Sequence, residues 1–496
     1  MSAVTDRDQT AHGPAAAPHG SDFLQLRADD VPADGKADWL ARRLRQAITD
    51  RRLTVGSRLP ATRLLADELR VSRGVVTEAY RRLAEDGHVE GRRRGGTVVV
   101  GAPPPPPPPR TQPTHADSPF AHAPDPRVFD ALRAADARID LTPGRPDLSA
   151  FPRTAWLRAE RAVLAELSSA DLGYGDPRGA PRLRRAVADW LARSRGIAVE
   201  PDGILIVAGI AQALALLHPV LRADGVTAVA VEEPGSLGTR QHLASGGLAT
   251  PPVPVDAYGP DVGALRASGA PAALLTPAHQ FPTGVVTSGE RRRELVRWAA
   301  DGGLILEDDY DAEHRYDRPP VPALRSLLAD RLCYMGSVSK LLAPALRIGW
   351  MIPPHRHLRA LTDAKRFTDL GSAVLPQLVL AHLMESGHLE RHLRMLRARH
   401  VRRRDAMIAA VTAHLPGAVV HGAAAGLHLT VTYDAPDVPD TELAAAALAL
   451  GVKCHPLSWH RQLPGRPGLV LGYAADPPDT LTEGVTLLAQ ALRSLT

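Results

Sequence analysis

The stretch Gly336-Ser337-Val338-Ser339-Lys340-Leu341-Leu342-Ala343-Pro344-Ala345-Leu346-Arg347-Ile348-Gly349 follows the apolar run Leu332-Cys333-Tyr334-Met335. An apolar run entering small hydroxyl residues and a lysine reads as a buried strand running into a functional loop. The lysine is informative because the chain holds only four, Lys36, Lys340, Lys365 and Lys453, among 59 basic residues. Apolar and small neighbours favour desolvation, which turns an ammonium into a reactive neutral amine. Ser337, Ser339 and Arg347 are the residue types that hold a phosphate. Upstream, Glu307-Asp308-Asp309-Tyr310-Asp311 stands where the strand Leu304-Ile305-Leu306 ends. Such a cluster binds a divalent cation, or sets one acid beside an organic cofactor with the rest solvated. Histidines and carboxylates do not gather elsewhere at metal spacing, so no metal is expected.

Working outward, Leu205-Ile206-Val207-Ala208, Val226 to Val231, and Ala273-Leu274-Leu275-Thr276 also read as buried strands with helical segments between several of them. This is an α/β pattern with a largely parallel sheet, in which functional groups gather at the carboxyl ends of strands. Residues 139–496 form this body. Residues 102–138 read as a linker, because Pro103 to Pro109 cannot enter helix or central strand and favour polyproline II.

Residues 34–101 have a different character. Three short helical patterns are followed by a strand, the basic turn Gly91-Arg92-Arg93-Arg94-Gly95-Gly96 and a second strand, the order of a winged helix. Ser72 is placed to cap the third helix. From Lys36 to Gly96 there are 15 basic against 8 acidic residues, a surplus larger than the net charge of +5 for the whole chain. Residues 1–33, rich in Ala, Gly, Pro and Asp, are expected to be a disordered tail.

At 496 residues and 44% hydrophobic content the chain supports two or three domains. Two cysteines, Cys333 and Cys454, make neither a disulfide scaffold nor a metal pair. Neither a leader nor an apolar run of roughly 18 residues is present, so a cytoplasmic protein without membrane contact is expected.

The text Gly56-Ser57-Arg58-Leu59-Pro60-Ala61-Thr62-Arg63-Leu64-Leu65-Ala66, with Val71-Ser72-Arg73-Gly74-Val75-Val76 and Ala79-Tyr80-Arg81-Arg82-Leu83, resembles the N-terminal domain of GntR-type bacterial regulators. By that resemblance Arg63, Ser72, Arg73 and the wing around Gly95 and Gly96 touch double-stranded DNA. Arg58, Thr77, Arg92, Arg93 and Arg94 complete the candidate DNA-binding set.

The large body carries further landmarks: Tyr174-Gly175-Asp176-Pro177-Arg178-Gly179, Gly209 with Gln212-Ala213-Leu214, Glu233-Pro234-Gly235, Thr276 to Gly284, the acid cluster, Ser339-Lys340 to Arg347, and Gly426-Leu427-His428. In this order they resemble fold-type I, aspartate-aminotransferase-like enzymes. The whole chain resembles the MocR/GabR subfamily of GntR regulators, a multidomain winged helix-turn-helix plus α/β transferase-like architecture. The resemblance implies pyridoxal 5'-phosphate as cofactor. Lys340 would be the Schiff-base lysine, Asp308 the partner of the ring nitrogen and Tyr310 that of the phenolic oxygen. Arg347, Ser337, Ser339 and backbone N–H groups at Gly209 and Ile210 would hold the phosphate. His279 joins the cofactor set, and Tyr174 would reach the neighbouring subunit of a homodimer, for which a domain-swapped form is one arrangement.

Two positions depart from the pattern. Ser236 stands where an aromatic usually stacks on the ring, and Val470 where many members have an arginine for a substrate carboxylate. Arg466 is the nearby candidate replacement. The implied function is a transcription regulator whose aminotransferase-like body senses pyridoxal phosphate or an amino effector. An active aminotransferase with an accessory DNA-binding domain, and a DNA-binding protein with a cofactor-free scaffold, stay open as alternatives.

Overall fold

The structure, a computed structural model, describes Leu26 and residues 28–92, 96–101, 118–316 and 321–496. Arg93, Arg94, Gly95 and the proline run lie outside the described residues. The chain divides into two compact units, Met1–Thr114 and His115–Thr496.

The first unit holds α1 (Lys36–Thr49), α2 (Thr62–Glu68), α3 (Arg73–Glu85), β1 (Val89–Arg92) and β2 (Gly96–Val99). Apolar residues recur at helical spacing, so α1 buries Leu40, Leu44 and Ile48 while α3 buries Val76, Ala79, Tyr80 and Leu83. Each large apolar side chain so buried contributes about 1.5–3 kcal/mol. The Tyr80 hydroxyl donates to the Pro60 carbonyl at 2.8 Å, fixing α3 against the loop before α2. β1 and β2 pair antiparallel from Val89↔Val99 to Arg92↔Gly96, and Arg58 bridges Val98. This is a winged helix. Two local expectations are corrected. Ser72 occupies the N-cap of α3, but its side chain makes no capping bond. The tail is ordered from its last apolar residues, because Leu26 and Val31 pack against the unit's core.

In the second unit, part of the expected linker is folded. Phe120 is buried and stacks on Trp459 with ring centroids 5.2 Å apart, and α4 (Val128–Ala134) buries Val128 and Leu132. Neighbouring prolines and charges mask a one-sided apolar pattern too short to stand out in the sequence.

After β3 (Ile139–Asp140) comes an eight-stranded sheet of β4 (Leu205–Val207), β5 (Val229–Glu233), β6 (Pro252–Asp256), β7 (Gly259–Pro260), β8 (Ala272–Leu275), β9 (Leu304–Asp309), β10 (Leu332–Ser337) and β11 (Gly349–Ile352). Its order is β4-β11-β10-β9-β8-β5-β6-β7. The run β10-β9-β8-β5-β6 is parallel, while β11 lies antiparallel between β10 and β4. The chain therefore leaves β10, turns through Lys340 and Arg347, and returns along β11 beside it. A second sheet contains β12 (Val419–His421) and β13 (His428–Thr432). β14 (Val452–Lys453) pairs in parallel with β3, and β15 (His455–Pro456) and β16 (Gly468–Gly472) complete the second sheet in the order β12-β13-β16-β15. Among the described residues, no helix is long and apolar enough to cross a membrane.

The acid cluster does not follow β9 but ends it, and Glu307, Asp308, Asp309 and Asp311 are all buried rather than solvated. Side chains alternate along a strand. Glu307 accepts the backbone N–H groups of Leu324 and Arg325 at 2.8 and 3.0 Å. Asp309 pairs with Arg195 Nε at 2.6 Å and accepts from the Tyr334 hydroxyl at 2.6 Å. Removing one partner of such a buried pair strands a charge. Arg195→Leu should destabilise the large unit by about 3–5 kcal/mol, measured as a lower urea midpoint by tryptophan fluorescence. An unchanged midpoint would mean the pair carries no structural weight.

Candidate functional site

A cavity of about 370 Å³ opens at the carboxyl ends of the parallel strands. Six predicted residues line it: Lys340, Asp308, Tyr310, Ser337, Ser339 and Ile210.

Lys340 is held by the Gly144 carbonyl, to which its Nζ donates. A Cβ at Gly144, where φ is +78°, would lie 3.0 Å from that nitrogen. Burial lowers the Lys340 pKa, and Asp311 and Asp308 pull partly against it. Asp308 is pushed up to about 7, mainly by burial and then by Asp309 and Asp311. Its Oδ1 is buried without a hydrogen-bond partner. The cavity thus holds an amine eased toward neutrality and a carboxylate oxygen still able to accept.

The phosphate-type elements gather at a helix start. Gly209, with φ +84°, caps the helix Ile210–Ala223, whose first N–H groups suit an anion. Arg347 donates to the Ala208 carbonyl, and a Cβ at Gly209 would stand 3.3 Å from its Nη1. Arg347 itself adopts a left-handed φ of +51°, which turns the chain into β11. The Ser339 N–H donates to Ser337 Oγ at 3.4 Å.

Two predicted residues stand elsewhere. His279 is buried behind Tyr310, its Nδ1 3.0 Å from Asp311 Oδ2 and 2.9 Å from Tyr310 Oη, so it positions the tyrosine rather than lining the cavity. Tyr174 is 94% exposed and lies outside the lining of this cavity, beside a separate surface depression. His279, Asp311 and His428 do bring ligand-type atoms within 4.8 Å of one another, contrary to the expectation from spacing. His279 and Asp311 are already bonded to each other, and His428 Nε2 lies 3.1 Å from the Pro282 carbonyl.

Both departures acquire a structural account. Ser236 Oγ accepts the Thr239 N–H at 3.3 Å and caps the helix Leu237–Ser245. Val470 is fully buried on β16, and Arg466 is exposed and 3.5 Å from Asp434, so it does not replace an arginine there.

Gly144, Glu232, His455 and His460 also line the cavity and escape sequence reasoning. Pro143-Gly144 after β3 is a readable turn signal. Glu232 looks like a strand-end acid, yet it accepts from the Thr276 N–H at 3.1 Å and is pushed up to about 7 by burial, with Oε1 unpartnered. The two histidines come from a distant segment that no local pattern ties to Lys340.

In the first unit, the predicted residues Arg58, Arg63, Ser72, Arg73, Thr77, Arg92 and Gly96 are all at least partly exposed. Arg73 Nε donates to Thr62 Oγ1 at 3.2 Å, which ties the first residue of α3 to the first residue of α2. Arg45, Arg81 and Arg82 are instead engaged by Asp86, Glu78, Glu85 and Asp38. With Asp50 on Arg52, five of the eight acids counted in the charge surplus are paired with arginines outside the predicted set.

A winged helix joined to an aminotransferase-fold body defines a DNA-binding regulator with a small-molecule-enzyme scaffold. Residues 36–99 match the family model for bacterial regulatory proteins of the gntR family, and residues 138–457 that for aminotransferase class I and II. The chain is 32% identical to the probable rhizopine catabolism regulatory protein MocR of Rhizobium meliloti, over 95% of each chain. It is 31% identical to the pyridoxine biosynthesis transcriptional regulator PdxR of Corynebacterium glutamicum, over 89% of this chain and 92% of that one. The kynurenine aminotransferase of Pyrococcus horikoshii superposes with a TM-score of 0.68 at 26% identity, over 77% of this chain and 97% of that one. The chain belongs to the MocR-type family of GntR transcriptional regulators.

The raised carboxyls make a pH prediction. Asp308 and Glu232 hold protons in the folded protein up to about pH 7, whereas unfolded carboxyls release them near pH 4. Their contribution is fully present below about pH 4 and is lost as pH rises through 7. Glu232→Gln removes one such loss, so its stability relative to wild type should grow between pH 4 and 8 in urea titrations. A pH-independent difference would contradict this protonation of Glu232.

Proposed function

We propose that the large unit binds pyridoxal 5'-phosphate at Lys340 and that its ligand state controls operator binding by the winged helix. The observation that carries this reading is the pairing, in one cavity, of a half-buried amine, its pKa lowered by desolvation, with a buried carboxylate whose Oδ1 lacks a partner. The residues fit that cofactor: an amine for the aldehyde, Asp308 for the ring nitrogen, the Tyr310 hydroxyl for the phenolic oxygen, and Arg347 with the Ile210 helix start for the phosphate. When bound, the cofactor supplies an aldehyde carbon to amines and a ring that takes up electron density. Around it, Gly144 orients Lys340, His279 and Asp311 hold Tyr310, and the apolar walls exclude water.

Sensing is favoured over turnover because, among the described residues, no arginine lines the cavity to hold an amino acid carboxylate, and position 470 carries a valine. The names of two relatives, regulators of rhizopine catabolism and of pyridoxine biosynthesis, suggest small-molecule control of transcription. We also propose a homodimer. Leu172, Tyr174, Phe367 and Leu370 are exposed apolar or aromatic side chains, three of them around one surface depression, suited to a second copy that would bring Tyr174 to its partner's site. Any ligand control of DNA requires the ligand to favour one arrangement of the protein over another.

Purified protein incubated with pyridoxal phosphate should show a visible absorption band that Lys340→Ala abolishes, and the cofactor should change retention of the protein's own upstream DNA. A wild type without the band would leave the cavity a scaffold. For the DNA side, Arg58 and Arg63 have no acidic partner among the described residues. Replacing both with alanine should lower DNA affinity and reduce the slope of log K against log salt by about 2, one unit per lost phosphate contact. An unchanged slope would move the phosphate contacts to other residues.

A further inference from the structure

The second sheet turns one face toward the cavity, and its residues decide what the ligand can carry. Thr430 pairs with Val470, and Val470 with His455, so these three share a face with His428, two residues from Thr430 on the same strand. The opposite face sends Leu429, Val431, Leu469 and Leu471 into the core. On the cavity side the hydrogen-bonding capacity is largely committed. Thr430 Oγ1 donates to the Pro282 carbonyl at 2.6 Å, and His428 Nε2 meets the same oxygen at 3.1 Å. His455 Nδ1 and His460 Nε2 share one hydrogen bond at 3.4 Å, while His460 Nδ1 accepts from the Leu237 N–H. Burial keeps these rings neutral, with His428 lowered to about 3 and His455 to about 4.

The charge inventory points the same way. Of the lysine and arginine side chains among the described residues, only Lys340 lines the cavity, against the carboxyls of Asp308 and Glu232. Glu232 Oε1 and Asp308 Oδ1 are both unpartnered acceptors. The remaining wall is largely apolar or aromatic, including Phe129, Leu214, Phe281 and Leu427. A carboxylate brought here would lose its hydration and, among the described residues, find no arginine in the lining to pair with.

We infer that the effector is a primary amine with an apolar or aromatic body and no carboxylate. This rests on the cofactor reading above and narrows it from amino compounds in general. With Asp308 given to the ring nitrogen, the unpartnered Glu232 Oε1 is the acceptor left for the amine, and its body packs against Phe129, Phe281 and the imidazole rings.

The test titrates the full-length protein loaded with pyridoxal phosphate with matched pairs, 2-phenylethylamine against phenylalanine and isopentylamine against leucine, following the visible band of the bound cofactor. Each carboxylate-free amine should half-saturate the spectral change at a concentration at least about tenfold lower than its amino acid. Equal or reversed preference overturns the inference, as does a band that no amine alters. If pyridoxal phosphate gives no band at all, the cofactor reading itself fails and the inference goes with it. Val470→Arg supplies the converse, since its side chain should reach the cavity face and shift preference toward the amino acid. A folded Val470→Arg protein with an unchanged ratio would also overturn the assignment. Should that variant not fold, the wild-type ratio decides.

Discussion

A strand sends successive side chains to opposite faces, and at Glu307-Asp308-Asp309 that alternation separates acids that are neutralised from one that is not. Asp309 points into the layer where Arg195 and Tyr334 meet it, and Glu307, on the same side, takes two backbone N–H groups. These contacts hold the end of β9 where three consecutive acids could otherwise not be buried. Asp308 faces the other way, into the cavity, and keeps an unsatisfied oxygen. A one-residue slip of β9 would exchange these roles, placing the charge that needs Arg195 in the cavity and burying the free one without a partner.

The same register fixes the lysine. β10 runs parallel to β9 with Met335 opposite Asp308, so the loop leaving β10 begins beside the acid. Because β11 is antiparallel to β10, that loop must reverse, and Arg347 in its left-handed conformation completes the reversal. The reversal returns Arg347 to the Ile210 helix start, since β11 pairs next with β4, whose chain leads into that helix. Lysine, carboxylate and anion site are thus set by strand order, not by contacts among themselves. Burial then eases Lys340 toward neutrality while raising Asp308.

Much of this is legible in the amino-acid sequence. The apolar runs ending at Leu306 and Met335 mark two adjacent strands, and the sparse lysines single out Lys340. The winged helix follows from its helical spacing and basic turn. The strand β9 reads too short because Glu307, Asp308 and Asp309 look like a solvated end, and only tertiary partners such as Arg195, over a hundred residues away, reverse that reading. Phe120 and α4 read as linker because their apolar faces are brief and become meaningful only against Trp459 and the second sheet. His455 and His460 escape for a related reason: they join His428 through cross-strand register and the turn after β15, which have no local signature.

The arrangement also bears on where a regulatory free energy can originate. A ligand shifts a conformational equilibrium only by its difference in affinity for the two states. Asp308 Oδ1 and Glu232 Oε1 are buried acceptors without partners, a condition that costs about 1–3 kcal/mol for each group. A bound group that satisfies them relieves that cost, so the polar deficit is a source of binding free energy of the size that couplings between sites display. By linkage, whatever factor the ligand imposes on DNA affinity is returned by DNA on the ligand.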